Sequence, residues 1–318
     1  MSSRSAAPVV PRGGRGDRDR VEHSRAALER AIVQTVAYAD VFDYPLTVDE
    51  VHRYLIGVPA SRGTLRAALA SMQRFSNVLS RSGRYLTLAG REWTIETRRR
   101  RAAISSEYWK RAVRYGRLIG SLPFVRMVAV TGALAMDNVA DADIDYLIVT
   151  EPGRLWLCRG LVVGVVRAAA ARGATLCPNY FLSERALQID ERNLFTAHEV
   201  TQMVPLAGST TYARFRALNR WTDEYLPNAG GPPRRAALAD PRPHRARKLA
   251  EMTLRSPIGA GLERWERSRK IRKLAQRSNG HAEAAFGPDW CKGHFDDHGQ
   301  LTLGRYAERL RSLEPALA

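Results

Sequence analysis

The chain has 318 residues, of which 45% are hydrophobic and 26% charged, proportions that exclude a fibrous or wholly disordered protein and suit two folded units plus tails. Fifty Lys and Arg against 32 Asp and Glu leave a formal charge of +18. Such an excess draws polyanions, nucleotides and nucleic acid among them, although solvated helix faces account for it equally well. Three cysteines, Cys158, Cys177 and Cys291, in no paired spacing exclude a disulfide framework and point to the reducing cytoplasm.

Residues 1–22 carry Arg4, Arg12, Arg15, Arg18 and Arg20 among Gly, Ser and Pro and read as a disordered basic arm with no signal-type apolar run behind it. From 24 to 39, Leu28, Ile32, Val33 and Val36 recur at helical spacing. After a turn at Asp43-Tyr44-Pro45, Thr47 with Glu50 three residues on predicts a capping box that opens a second helix with Val51, Tyr54 and Leu55 buried. Ser61 or Thr64 opens a third, running through Leu65, Leu69 and Met72. Val78-Leu79 and residues 83–88 are two short β segments around a Ser-Gly turn. Three helices and a two-stranded wing over residues 23–92 describe a winged helix, a fold that serves DNA and protein contacts alike. Arg62, Arg66 and Arg74, with Arg81 and Arg84 on the wing, suit phosphate contacts and so a possible nucleic-acid partner. Residues 93–120 are expected to be a linker helix, with Arg98, Arg99, Arg100 and Arg101 spread around its axis in solvent.

Between 121 and 228 the character changes. Residues 125–130, 144–150 and 175–183 read as strands and 154–171 as a helix, so an α/β (α+β) core with a short mixed sheet is expected. The run 155–171, interrupted by Arg159 and Arg167, falls short of a bilayer span, and no membrane partner is expected. Helices follow over 193–203 and 211–225, and the breaker cluster Asn228-Ala229-Gly230-Gly231-Pro232-Pro233 marks the end of the compact core. Residues 229–318 form a helical, basic C-terminal region with a last helix from about Thr302. Its stretch 264–277, which bears Trp265, suits either nucleic-acid phosphates or solvent. His198-Glu199 is expected to pack or cap rather than catalyse. Cys291, His294 and His298 have a zinc-like spacing, but Lys292-Gly293 interrupts any helix, and a docking segment is the reading.

The chemistry is concentrated in Val128-Ala129-Val130-Thr131-Gly132-Ala133 and, nine residues later, Asp143-Ile144-Asp145-Tyr146-Leu147-Ile148-Val149. Two aspartates two apart on a strand aim both carboxylates at one face. There they repel unless a cation joins them, and hard oxygen ligands suit Mg²⁺, which is completed by waters and substrate phosphates. Gly132 at the strand end lets backbone N–H groups come close to a phosphate. Asp141 is expected to be loop.

These residues resemble the DNA polymerase beta-type nucleotidyltransferase superfamily, marked by a glycine-serine turn followed at this distance by an Asp-x-Asp strand. The resemblance covers residues 124–184. It implies that Asp143 and Asp145 are the catalytic metal ligands and that Thr131, Gly132 and the Ala133 amide contact the triphosphate. It further implies transfer of a nucleoside monophosphate from a nucleoside triphosphate to a hydroxyl of an unknown acceptor. Two departures stand out. Ala133 replaces the usual serine, and the next strand offers Asn179 inside and Glu184 only at its end for the third carboxylate of the family. Asn179 is therefore placed at the nucleotide and Glu184 among the metal ligands. Phe42-Asp43-Tyr44-Pro45-Leu46-Thr47 and Asn193-Leu194-Phe195-Thr196-Ala197-His198-Glu199 are also similar to bacterial proteins that pair a winged helix with such a domain. The rival reading is a degenerate nucleotidyltransferase fold that binds nucleic acid or protein without turnover.

Overall fold

The computed structural model describes residues 15–71, 77–140, 143–233, 245–278, 285–292 and 298–317. The expected arm before residue 15, Met72 and Arg74 of the third helix, Asp141, and His294 lie outside them. The described chain is a mixed α/β protein with two small sheets.

The N-terminal unit begins with α1 (Arg15–Asp40), which starts within the stretch expected to be disordered. It continues through β1 (Leu46–Thr47), α2 (Val48–Arg53), α3 (Arg62–Ala70), β2 (Leu79–Ser82) and β3 (Tyr85–Leu88). Thr47 and Glu50 make the reciprocal capping box, and Ser61 caps α3 by accepting from the Thr64 amide. The strands pair antiparallel in the order β1-β3-β2, with Gly83 in the left-handed region (φ 58°) turning β2 into β3. Ile32, Val33, Val51, Leu55 and Leu65 fill the space between the helices and this sheet.

The helix α4 (Thr94–Gly120) is no solvated linker. Trp109, Ala112, Tyr115 and Ile119 lie in the main core against the larger sheet, because they recur every third or fourth residue and form one stripe along the helix. Its four-arginine run divides by the same period. Arg98 makes paired bonds to Glu50 (2.8 and 2.7 Å) and Arg101 donates to the Phe42 carbonyl (2.9 Å), while Arg99 and Arg100 face solvent.

The larger sheet contains β4 (Val125–Val130), β5 (Asp143–Thr150), β6 (Thr175–Ser183), β7 (Val204–Ala207), β8 (Ala285–Phe286) and β9 (Trp290–Lys292), in the order β7-β4-β5-β6-β9-β8. Only β5 and β6 run parallel, joined by the crossover helix α6 (Leu155–Ala170). The short α5 (Gly132–Ala135) follows β4. One face, with Val128, Val130, Ile144, Tyr146 and Ile148, packs on α4 and α6. The other, with Met127, Ala129, Leu147 and Val149, packs on α7 (Leu194–Gln202), α8 (Ser209–Leu218) and the N-terminal residues Tyr38 and Tyr54. The expected helix over 211–225 is broken at Asn219, whose side chain ties the Leu187 carbonyl and the Ile189 amide before the short α9 (Thr222–Tyr225).

The compact core does not end at residues 228–233. After α10 (Arg245–Leu254) and α11 (Pro257–Ser278) the chain returns to set β9 beside β6, and α12 (His298–Leu317) packs on α1 and α7. Cys291 is buried in β9, paired with Phe181, a packing position as expected. No helix among the described residues is long and apolar enough to cross a membrane.

Candidate metal centre

Alternation along β5 places Asp143 and Asp145 on the face shared with Leu147 and Val149, at the strand's first residues, where the sheet meets α7 and the N-terminal unit. Gly132 closes the corner opposite them. Its φ of +62° is left-handed, and a Cβ built there would stand 3.2 Å from the Asp145 Cγ, against its carboxylate. The glycine thus makes room for the aspartate, an additional reason for it beyond access to phosphate. The Thr131 amide donates to the Asp145 carbonyl (3.1 Å), fixing the turn to the strand. The amides of Gly132 and Ala133 open the first turn of α5, where no intrahelical acceptor exists.

A bulge in β6 completes the surroundings. Asp145 pairs with Cys177 and Leu147 with Tyr180, so β6 carries one extra residue here, at Pro178, which has no N–H to give to a ladder. The bulge brings both Cys177 and Asn179 to Asp145. Asn179 donates through Nδ2 to the Asp145 carboxylate and accepts from the Cys177 thiol through Oδ1 (2.7 Å). One ligand atom from each of Asp143, Asp145 and Cys177 lies within 4.8 Å of the others.

The electrostatics are those of crowded acids. Burial, then the neighbouring charges of Asp143 and Glu199, push the Asp145 carboxyl up to about 7 against the pull of Asn179. Burial likewise pushes Glu199, on α7, up to about 7. The Cys177 thiol is pushed up to about 11 by burial and by both aspartates, so it is neutral at neutral pH, and the carboxylates are the charged groups of the three that could hold a cation. Among the described residues no ion pair reaches Asp143 or Asp145, in a chain with fifty Lys and Arg. An acidic pair of hard oxygens without a protein cation fits a divalent metal such as Mg²⁺.

The other expected site residues divide. Asp143, Asp145, Gly132 and Asn179 come together, with Thr131 and Ala133 at the same corner. Glu184 does not. It follows β6 at the far end of the sheet, its amide on the Thr150 carbonyl (3.0 Å) and its carboxylate 3.8 Å from Arg126, so its place among the metal ligands is withdrawn. A parallel partner strand carries its last residue to the last residue of β5, whereas the aspartates are at the first. His198 packs as expected, stacked on Tyr38 with centroids 4.1 Å apart, and burial lowers it to about 3, holding it neutral. Glu199 beside it, expected with His198 to pack or cap, also lays its charge on Asp145. The only signal of this in the sequence is a carboxylate amid the apolar positions Leu194, Ala197 and Val200 of α7.

Comparison of the chain with family models, curated proteins and solved structures finds no match.

Proposed function

We propose that this chain is a Mg²⁺-dependent nucleotidyltransferase of the DNA polymerase beta type, preceded by a winged helix, that moves a nucleoside monophosphate onto a hydroxyl acceptor. The observation that carries this reading is Asp143 and Asp145 on one face of β5, with no ion pair among the described residues, and Gly132 folded against the Asp145 carboxylate. Support for the family also comes from the antiparallel β4-β5 pair, the parallel β5-β6 pair and the corner joining β4 to α5. The order β1-β3-β2 beneath three helices supports the winged helix.

Asp143 and Asp145 would hold the ion. An ion held there would supply positive charge to the triphosphate and lower the pKa of the attacking hydroxyl. Asn179 orients Asp145 through its amide, and Thr131, Gly132 and Ala133 form the corner that faces the phosphates. Glu199 stands in for the third carboxylate that Asn179 cannot be, since an amide accepts no proton. Burial raises the Glu199 carboxyl to about 7, and its charge is felt at Asp145, which makes it the further carboxylate at this end of the sheet.

One observation favours the rival reading of a degenerate fold. Asn179 already satisfies an Asp145 oxygen, as a structural residue would. Purified protein incubated with each nucleoside triphosphate, Mg²⁺ and a panel of hydroxyl acceptors, itself included, separates the two. Release of pyrophosphate, abolished by Asp143→Ala with Asp145→Ala, is expected. Absence of pyrophosphate with every triphosphate contradicts the enzyme.

A further inference from the structure

The helices α10 and α11 are built inside out. Their carboxylates face the body of the protein: Glu251 accepts from the Phe124 amide (2.9 Å), and Glu263 accepts from the Trp156 and Leu157 amides (3.1 and 2.7 Å). Those last two bonds satisfy the N-terminus of α6, whose own cap residue Arg154 makes no side-chain cap bond. Glu266, the third acid, is also buried and bonded to Arg269.

The outward face is apolar. Ile258, Leu262 and Trp265 follow at i, i+4 and i+7 along α11, with Ile258 76% and Trp265 61% exposed, and Leu249 and Met252 are exposed on α10. Around this stripe the exposed charges among the described residues are basic, with Arg245 and Lys248 on α10 and Arg264 and Arg272 on α11. Arg269 lies over the Trp265 ring at 4.9 Å.

A large exposed apolar stripe on a soluble surface marks a contact surface. Its basic border decides among occupants. A second copy of this chain on the same face would set two arginine rows against each other. A nucleic-acid backbone would use the arginines and leave Ile258, Met252 and Leu249 in water. A surface that takes large apolar side chains into its boundary and offers negative charge around them satisfies both sets. We propose that the outer face of α10 and α11 docks on an anionic lipid surface, a peripheral contact that crosses no bilayer.

The test is co-sedimentation of the full chain with vesicles of phosphatidylcholine, with and without phosphatidylglycerol. A charge of +18 alone would draw the protein to the anionic vesicles, so the decisive arm keeps the charge and removes the apolar contact. Ile258→Ser with Trp265→Ser is expected to weaken binding to anionic vesicles roughly tenfold or more. Arg264→Glu with Arg272→Glu is expected to weaken it by roughly fivefold for each basic charge lost. Thermal unfolding of both variants should match wild type, because the four side chains are exposed. Equal binding by the serine variant and wild type overturns the proposal. So does a wild-type dimer that the serine pair dissociates, and so does salt-sensitive duplex DNA binding that the arginine variant loses while vesicle binding persists.

Discussion

The two ends of strand β5 treat their acids in opposite ways. At the last residues, Glu151 is gripped by Arg126 and by the Nη1 and Nη2 of Arg255 (2.7 and 2.8 Å), Glu184 lies near Arg126, and Glu251 pairs with Arg247 (3.1 Å). At the first residues, roughly 20 Å away along the strand, Asp143 and Asp145 have no such partner among the described residues, and Asn179 is the side chain that bonds to Asp145. Arginines neutralise the acids at the last residues. At the aspartate pair they do not, although fifty basic residues are at hand. The contrast is between acids closed off by arginines and a pair that no cation reaches among the described residues.

The largest expected effect falls on the bare end. Asp143→Asn with Asp145→Asn should lower Mg²⁺-dependent triphosphate binding by at least ~10²-fold, measured by titration calorimetry, while raising metal-free stability by relieving the crowded charge. A double variant that binds as wild type removes the contrast between the ends. Gly132→Ala comes next. It forces an L side chain into φ +62° and against the Asp145 carboxylate, a cost of about 2 kcal/mol on urea unfolding together with loss of metal binding. Unfolding unchanged from wild type would show that the corner is not tied to the aspartate.

How far all this was legible in the sequence follows from how local each signal is. The capping box of Thr47 and Glu50, the alternation along β5 and the bracket of Gly132 and Asp143 are short-range patterns, and each was readable. The strand β7 was not, because Val204-Pro205-Leu206-Ala207 contains a proline that argues against a strand. It is tolerated here because β7 is the sheet's edge. The pairing of β9 with β6 depends on residues far apart in the chain, and nothing local announces it. Glu199 and Cys177 reach Asp145 only through the fold of α7 over the sheet and the bulge at Pro178. Glu184 was the acid that the sequence offered only at the end of β6, and the parallel pairing carries that end to Thr150, away from the aspartates.

A smaller effect concerns pH, without metal. Between pH 4.5 and 6.5 the native protein holds protons on Asp145 and Glu199, both raised to about 7, that the unfolded chain has released. Over the same window the unfolded chain protonates His198, which the native fold, having lowered it to about 3, leaves neutral. Two native protons against one unfolded make stability fall as pH rises, by up to about 1.4 kcal/mol per pH unit. Glu199→Gln should flatten the slope, and His198→Phe, which keeps a ring on Tyr38, should steepen it. Urea unfolding across this range checks both, and a stability that climbs with pH in wild type would contradict the crowding of acids at this end. The smallest effect is at the neutralised end. Arg126→Ala should cost about 1 kcal/mol by loosening Glu151 and Glu184 and leave metal binding intact. A loss of metal binding there would blur the separation of the two ends.

The most direct measurement is a titration of the full chain with Mn²⁺, followed by electron paramagnetic resonance in the presence of a non-hydrolysable triphosphate analogue. Saturable uptake of the ion by wild type, lost in Asp145→Asn and kept in Glu184→Gln, is the expected result. Uptake that Asp145→Asn leaves unchanged, or that Glu184→Gln abolishes, would contradict the account.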